Sequence, residues 1–538
     1  MLEIDVYNTF LKIKYQKFST IIQSIVNYVT FDYDIVKENS TSGIKEEKYY
    51  ELYKYDNEIK QLIVPVGALE HTIRLCLNYG VKYKIVNRQI MQAEDLKYLK
   101  LAVDMKPRDY QELYINKLCD PSLSRFLLVD LKPGAGKTFI AVNVAIKLGK
   151  RIALIILPKY INKWIDDFWK YCKIPKNKIR VIQGLDTIEN VINGQPIKED
   201  VIILSVRTCT LYIEKYLKDP DVKPITLFFN KAKIGTAILD EVHQETFAVS
   251  RVVMYSNIYK VIGLSATYMP NHTEERRLYK ILFKDKERLS NLVTFDKYIN
   301  IYGFKYLTHE LNTNFVKNRV YGNYGYSHAK LEQIILAQNR YKEPYFEMVY
   351  EKLKLFFLNK DFIARDKCLI YFYTINACTI YTHWLRNRIR QEDKRYIRVA
   401  RYVGPDPWEN LMKNNIVITT LGSAGTAVDI PNLTTVINTV VVKSKKLNIQ
   451  NIGRLRQIPN REVNYIYFFT DLHNSTEASR KSYFHSMAKT YIVDTYKLNI
   501  DSIPRTNRNF NKPKYTPEQR WEYFKKRNNY HINKYTKK

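Results

Sequence analysis

Between an apolar run and a helical pattern, the sequence places Pro133, Gly134, Ala135, Gly136, Lys137 and Thr138 in the stretch LLVDLKPGAGKTFIAV. Glycines at 134 and 136 let the backbone curl until successive N–H groups face one centre. A helix that starts there adds its positive pole, and together they form a cradle for phosphate oxygens. Lys137 then reaches the outer phosphates of a nucleotide, and the Thr138 hydroxyl is a ligand for Mg²⁺. Leu131 stands where the longer GxxxxGK[ST] pattern begins with glycine, while the GxGKT core is intact.

A second apolar run, AILDEVHQ, ends on two adjacent carboxylates. Neighbours on a strand point to opposite faces, so Asp240 and Glu241 take different tasks. Asp240 is expected to hold Mg²⁺, and Glu241 to orient and deprotonate an attacking water. Phosphoryl transfer needs both tasks beyond positioning.

These residues need a scaffold that delivers strand ends to one edge. After Met105, short apolar runs (SRFLLVDL, RIALIILP, DVIILSVRT, IGTAILDE, VIGLSAT) alternate with longer amphipathic stretches, as in βαβ units around a parallel sheet. A second series (KCLIYFYT, NIVITT, TTVINTVVV, VNYIYFFTD) begins near residue 366. The fold class expected is α/β, with two parallel-sheet domains in tandem. Residues 1–100 mix alternating runs with helical ones and predict a small α/β or α+β accessory domain, a candidate nucleic-acid binder. The boundaries that follow are 101–290 for the first parallel-sheet domain, 291–365 for a connector with peripheral helices, 366–485 for the second parallel-sheet domain and 486–538 for a basic extension. Within that extension, residues 503–538 hold eleven Lys and Arg against two Glu. A short helix is predicted there, capped by Thr516 with Pro517 at its first position.

The chain has 538 residues, with 86 Lys and Arg against 54 Asp and Glu, a net charge of +32. With 46% hydrophobic and 13% aromatic residues, the composition argues against intrinsic disorder. The excess charge points to a polyanion, nucleic acid ahead of membrane surface, although an overall lysine bias in composition would also raise it. The six cysteines show neither zinc spacing nor a disulfide framework. MLEIDVYNTF lacks the layout of a signal peptide and no apolar stretch is long enough for a membrane helix, so a soluble, cytoplasmic protein is expected, in the host cell if the source is viral.

GAGKT, then DEVH at 240–243, then Ser265-Ala266-Thr267 resemble the ordered motifs of superfamily 2 helicases of the DExH type. The overall order is most similar to the recombination and repair DNA helicases of large tailed phages and large DNA viruses. The resemblance implies two RecA-like domains with ATP and Mg²⁺ between them, and nucleic acid as partner, DNA ahead of RNA, with branched DNA and R-loops among the substrates. Arg108 and Gln111, in RDYQ, match the element that recognises adenine. Lys159 in LPKYINKW and Ser205 in ILSVRT match loops that contact the nucleic-acid backbone. ITTLGSAGTAVDIPN resembles the fifth motif, with Thr420, Gly422 and Thr426 on the nucleic acid and Gly425 and Asp429 on the nucleotide. QNIGRLRQ resembles the sixth motif, QxxGRxxR, through Gln450, Gly453 and Arg454. Its last arginine falls on Gln457, and Arg456 comes one position early. If the segment is helical, that offset turns the side chain by about 100°. Arg454 is therefore the expected arginine finger, with Arg456 and Arg461 as the other candidates.

Overall fold

The computed structural model describes residues 1–35, 46–56, 58–131, 134–265, 273–290, 292–293, 296–306, 320–322, 325–359, 365–392, 396–423, 430–442 and 444–498. Pro133, Ala266, Thr267, Gly425, Thr426, Asp429 and the helix expected from Thr516 lie outside these residues.

The chain opens with a five-stranded sheet, β1 (Leu2–Val6), β2 (Phe10–Lys14), β5 (Lys54–Asp56), β6 (Gln61–Pro65) and β7 (Tyr83–Asn87), ordered β5-β6-β2-β1-β7. Only β1 with β7 is parallel. The helices Thr20–Tyr28 and Leu69–Asn78 belong to the same unit, as does an antiparallel hairpin of β3 (Thr30–Ile35) and β4 (Glu46–Glu51).

This unit shares one hydrophobic core with the domain that follows: Ile4, Leu11, Ile22 and Phe31 pack in the same cluster as Leu204, Leu239 and Phe247. Tyr50 stacks on Phe247 at 4.2 Å, and Phe31 meets that ring edge-on at 5.6 Å. Asn8 fastens the joint. Its side-chain amide donates to the carbonyls of Asn257 at 2.9 Å and Ile90 at 2.8 Å, and its backbone N–H donates to Asn257 Oδ1 at 3.1 Å. Thr9 Oγ1 donates to Met254 O at 3.1 Å and accepts the Asn257 N–H at 2.9 Å. Phe247 and Met254 lie on the helix Thr246–Ser256, and Asn257 caps it in the left-handed conformation. The accessory unit is thus bonded to the helix that leaves the DEVH loop.

The first large sheet holds β8 (Phe126–Asp130), β9 (Ile152–Ile156), β10 (Ile179–Ile182), β11 (Val201–Ser205), β12 (Thr236–Leu239), β13 (Lys260–Ser265) and β14 (Arg288–Ser290). All are parallel, in the order β10-β11-β9-β12-β13-β8-β14. The inner strands are buried along their whole length, as expected of a parallel sheet covered by helices on both faces. Apolar runs without alternation follow from that burial.

Past β15 (Ile299–Tyr306) and a small ladder of β16 (Tyr321–Gly322) with β17 (Gly325–Tyr326) come β18 (Lys367–Phe372), β19 (Val399–Tyr402), β20 (Ile416–Thr420), β21 (Leu433–Asn438), β22 (Val463–Thr470) and β23 (Ala488–Tyr496). The second large sheet is again all parallel, β19-β20-β18-β21-β22-β15-β23. Two of its strands come from segments the sequence reading set aside. β15 lies within the 291–365 connector, and β23 lies within the 486–538 extension. In INIYGFKY, Asn300, Gly303 and Lys305 break the apolar run; Asn300 is nonetheless buried, its amide donating to Asn464 Oδ1 of β22 at 3.3 Å. β23 is an edge strand exposed along much of its length, so nothing required it to be apolar.

Candidate functional site

In parallel α/β sheets, ligands gather beyond the carboxyl ends of the strands. Three neighbouring strands of the first sheet, β8, β13 and β12, end at the glycine-rich loop, at Ser265 and at Asp240 respectively.

Gly134 and Gly136 both hold positive φ, 86° and 77°, and Gly136 caps the helix Lys137–Leu148. A Cβ on Gly134 would come within 2.9 Å of the Arg456 guanidinium carbon; one on Gly136 would meet Gln111 Nε2. The loop is therefore closed in from two sides. Lys137 Nζ donates to Leu131 O at 3.0 Å. Burial pulls its ammonium below the ordinary lysine value, and the carboxylates of Glu241 and Asp240 pull it back up. Thr138 follows on the first turn, part-exposed.

Arg108 and Gln111 open the helix Asp109–Cys119. Gln111 Oε1 accepts the Arg108 N–H at 3.0 Å, and Tyr110 donates its hydroxyl to Ala135 O at 3.0 Å. RDYQ is thus folded onto the glycine loop. It lines a cleft of about 550 Å³ together with Tyr171 and, from the second half of the chain, Tyr298, Arg456 and Gln457. The Tyr298 hydroxyl donates to Leu455 O at 3.1 Å, fixing the segment between the two arginines.

Asp240 is buried and accepts a hydrogen bond at 2.8 Å from Nε1 of the fully buried Trp164. Trp164 belongs to the helix Ile161–Cys172, on the segment the sequence reading assigned to the nucleic-acid backbone. Nothing in its spacing announces this contact. Replacing Trp164 by Phe removes the donor from a buried carboxylate. It is expected to lower stability by about 2 kcal/mol, readable as a fall in thermal midpoint; an unchanged midpoint would mean that the hydrogen bond contributes nothing. On the same helix Asp167 is pushed up to about 6 by burial, with Lys163 and Lys170 opposing and Asp240 adding to the shift.

Glu241 takes φ 49°, a left-handed conformation that costs a residue with a Cβ about 1–2 kcal/mol. Such strain turns its side chain out of the strand direction, apart from Asp240. His243 ties three motifs together. Its Nδ1 lies 2.9 Å from Ser265 Oγ, and its Nε2 lies 3.3 Å from Glu241 Oε2 and 3.1 Å from Gln450 Nε2 on the helix Lys445–Ile452 of the second half. With its proton on Nδ1, the ring accepts from Gln450; with a proton on Nε2, it donates to Glu241. One imidazole can thus relay a change at the carboxylate pair to the second half of the chain.

The helix bearing Gln450 ends at Ile452, and Gly453 caps it. Arg454 to Gln457 therefore lie beyond the helix, and the 100° argument against Arg456 falls away. The weak helix propensity of Gly453 was the available signal. Arg456 lies over the glycine loop; Arg454 is buried in the second half, where its charge acts on Tyr371. Arg461 pairs with Asp366 at 3.3 Å in a separate hollow with Phe356 and Asn464.

Of the residues expected on nucleic acid, Lys159 is exposed after β9 and Gly422 is open after β20. Thr420 Oγ1 accepts the Ser423 N–H at 3.1 Å. Ser205 is a correction: it is buried, and its Oγ accepts the Thr208 N–H as the cap of the helix Val206–Lys218, so its hydroxyl does not face a phosphate. The exposed side chain on that turn is Arg207.

The residues fit a magnesium-bound nucleoside triphosphate. Gly134, Ala135 and Gly136 line the cleft with Arg108, Gln111, Tyr171 and Arg456, and Lys137 and Thr138 follow directly on the glycine loop.

Residues 104–269 match the family described as "Type III restriction enzyme, res subunit". The chain is 24% identical over 173 residues to the TFIIH helicase/translocase subunit XPB/SSL2 of Saccharomyces cerevisiae, covering 31% of this chain and 20% of that protein. It is 22% identical over 247 residues to XPB of Enterocytozoon bieneusi, covering 44% and 40%. The chain thus spans less than half the length of these relatives. Among solved structures it is similar to T4 UvsW, with 17% identity, a TM-score of 0.36 and coverage of 92% of this chain and 99% of that one. GAGKT, DEVH, Ser265 and the Gln450 helix are thus gathered between two parallel sheets, in a chain that is similar over part of its length to these helicase/translocase subunits.

Proposed function

We propose that the protein is an ATP-dependent motor that moves along nucleic acid, DNA ahead of RNA, and unwinds it or remodels branched DNA and R-loops. The observation that carries this reading is the His243 junction, which joins Glu241 of one sheet to the Gln450 helix of the other. Bound ATP with Mg²⁺ would supply a phosphoanhydride to be hydrolysed. Gly134, Ala135, Gly136 and Lys137 would hold the phosphates, Thr138 and Asp240 the metal, Arg108 and Gln111 the base, and Glu241 would take the proton of water. Outside the described residues, Pro133, Gly425 and Asp429 are proposed for the nucleotide and Thr426 for the nucleic acid. Residues 101–290 and 366–485 are the proposed motor halves, 1–100 an accessory binder and 486–538 a basic extension. No helix among the described residues is long and apolar enough to cross a membrane, and we assign the protein to the cytoplasm, the host's if it is viral.

A second reading is a translocase that displaces protein or RNA without unwinding. It is favoured by the names of the XPB relatives, helicase/translocase subunits. ATPase rates with single-stranded, duplex and branched DNA and with RNA, beside strand displacement on forks, four-way junctions and RNA–DNA hybrids, separate the two. Stimulation without displacement selects the translocase, and stimulation by none of the polymers rejects both readings. Because Lys159, Arg207 and the net charge of +32 address phosphates, single-strand affinity is expected to fall with salt at a log–log slope of about −3 or steeper. A slope near zero would contradict that.

A further inference from the structure

The motifs account for phosphate contacts, which leave the bases of a bound strand unaddressed. Beside the Thr420–Ser423 turn stands Tyr373, the first residue after β18, with 51% of its surface exposed. Strands β18 and β20 are neighbours, and Phe372 is paired with Thr420, so Tyr373 emerges at the strand end next to that turn. Ile375, also exposed, follows it.

The turn is held from below. Glu332, on the helix His328–Leu336, is buried, and its carboxylate accepts three hydrogen bonds: from the Tyr373 N–H at 2.6 Å, the Thr374 N–H at 2.8 Å and the Thr374 hydroxyl at 2.7 Å. Thr374 Oγ1 in turn accepts the Ala377 N–H at 3.1 Å. A buried carboxylate is costly unless well bonded, and here its bonds fix a turn whose aromatic ring rests at a tilt on the His328 ring, 6.0 Å between centroids, and leaves about half of the residue exposed. Fixing the turn in advance lowers the ordering cost of whatever the ring meets.

We propose that Tyr373 is a stacking platform for a nucleobase of the single strand whose phosphates pass the Thr420–Ser423 turn, and that Glu332 is the positioning residue that holds it there. This rests on the nucleic-acid reading above. Every base has a π face, so such a platform grips without reading sequence.

The test is equilibrium binding by fluorescence anisotropy, with a labelled oligothymidylate and an abasic strand of equal length as probes. Tyr373→Ala is expected to weaken oligothymidylate binding about tenfold and to leave abasic binding as in the wild type, with Tyr373→Phe close to wild type on both. Glu332→Gln is expected to reduce the preference for the base-bearing strand in the same direction. A tyrosine variant that binds oligothymidylate as tightly as the wild type, or that loses both strands equally, overturns the platform alone. A wild-type protein that binds neither strand overturns the nucleic-acid reading along with it.

Discussion

Lys137→Ala and Glu241→Gln are each expected to reduce nucleic-acid-stimulated ATP hydrolysis by about 10²–10⁴-fold while the protein melts where the wild type does. Lys137 follows the glycine loop with both carboxylates within electrostatic reach, so its removal takes away a cation that Asp240 and Glu241 face there. Glutamine at 241 keeps the size and shape of the residue but cannot accept a proton from water. Neither change empties a core position, because both side chains are only part-buried. Purified variants assayed for phosphate release with saturating single-stranded DNA decide the matter. Turnover within a few-fold of wild type in either would remove the assignment of this loop or of this carboxylate.

Arg456→Ala is expected to lower kcat by about 10³-fold with little change in thermal midpoint, the size of effect associated with an arginine finger. Its guanidinium lies over Gly134, closely enough that a Cβ at that position would have to displace it. Arg454→Ala is expected to behave differently: that arginine is buried beside Tyr371, so the variant should melt lower and lose turnover in proportion to the protein unfolded. Paired melting curves and ATPase rates distinguish the two. Should Arg454→Ala lose turnover at an unchanged midpoint while Arg456→Ala keeps it, the finger belongs to Arg454.

What could be read from the sequence divides along a physical line. GAGKT and DEVH were legible because their tasks demand particular residue types on consecutive backbone positions. Strands such as β9 and β11 were legible because burial on both faces leaves no polar position to confuse the pattern. β15 was not: its buried Asn300 is satisfied only by Asn464, far along the chain, and a polar residue of that kind reads locally as a loop. The same holds within the site. DEVH and the Gln450 segment were each visible, but their meeting at His243 depends on how two sheets face one another. Trp164 looked like part of a backbone-contact loop, and its hydrogen bond to Asp240 is set by a helix crossing no local pattern encodes. Ser205 was misread because a serine at a strand end has two uses, and capping the next helix won. Arg456 was placed off the finger's face because the helix was carried past Gly453, where it in fact ends.

The joint between the N-terminal unit and the helix Thr246–Ser256 has a mechanical consequence. Asn8 and Thr9 grip the far end of that helix, whose near end follows the DEVH loop. A load borne by the first ninety residues therefore reaches the helix that leads from the DEVH loop, and also the start of β8 through the Arg125 bond to Asn8 at 3.1 Å. Pulling on the N-terminal unit, by a bound duplex for instance, would therefore be felt at the chemistry as strain, and a fluorophore there would report the motion of the first large sheet against the second.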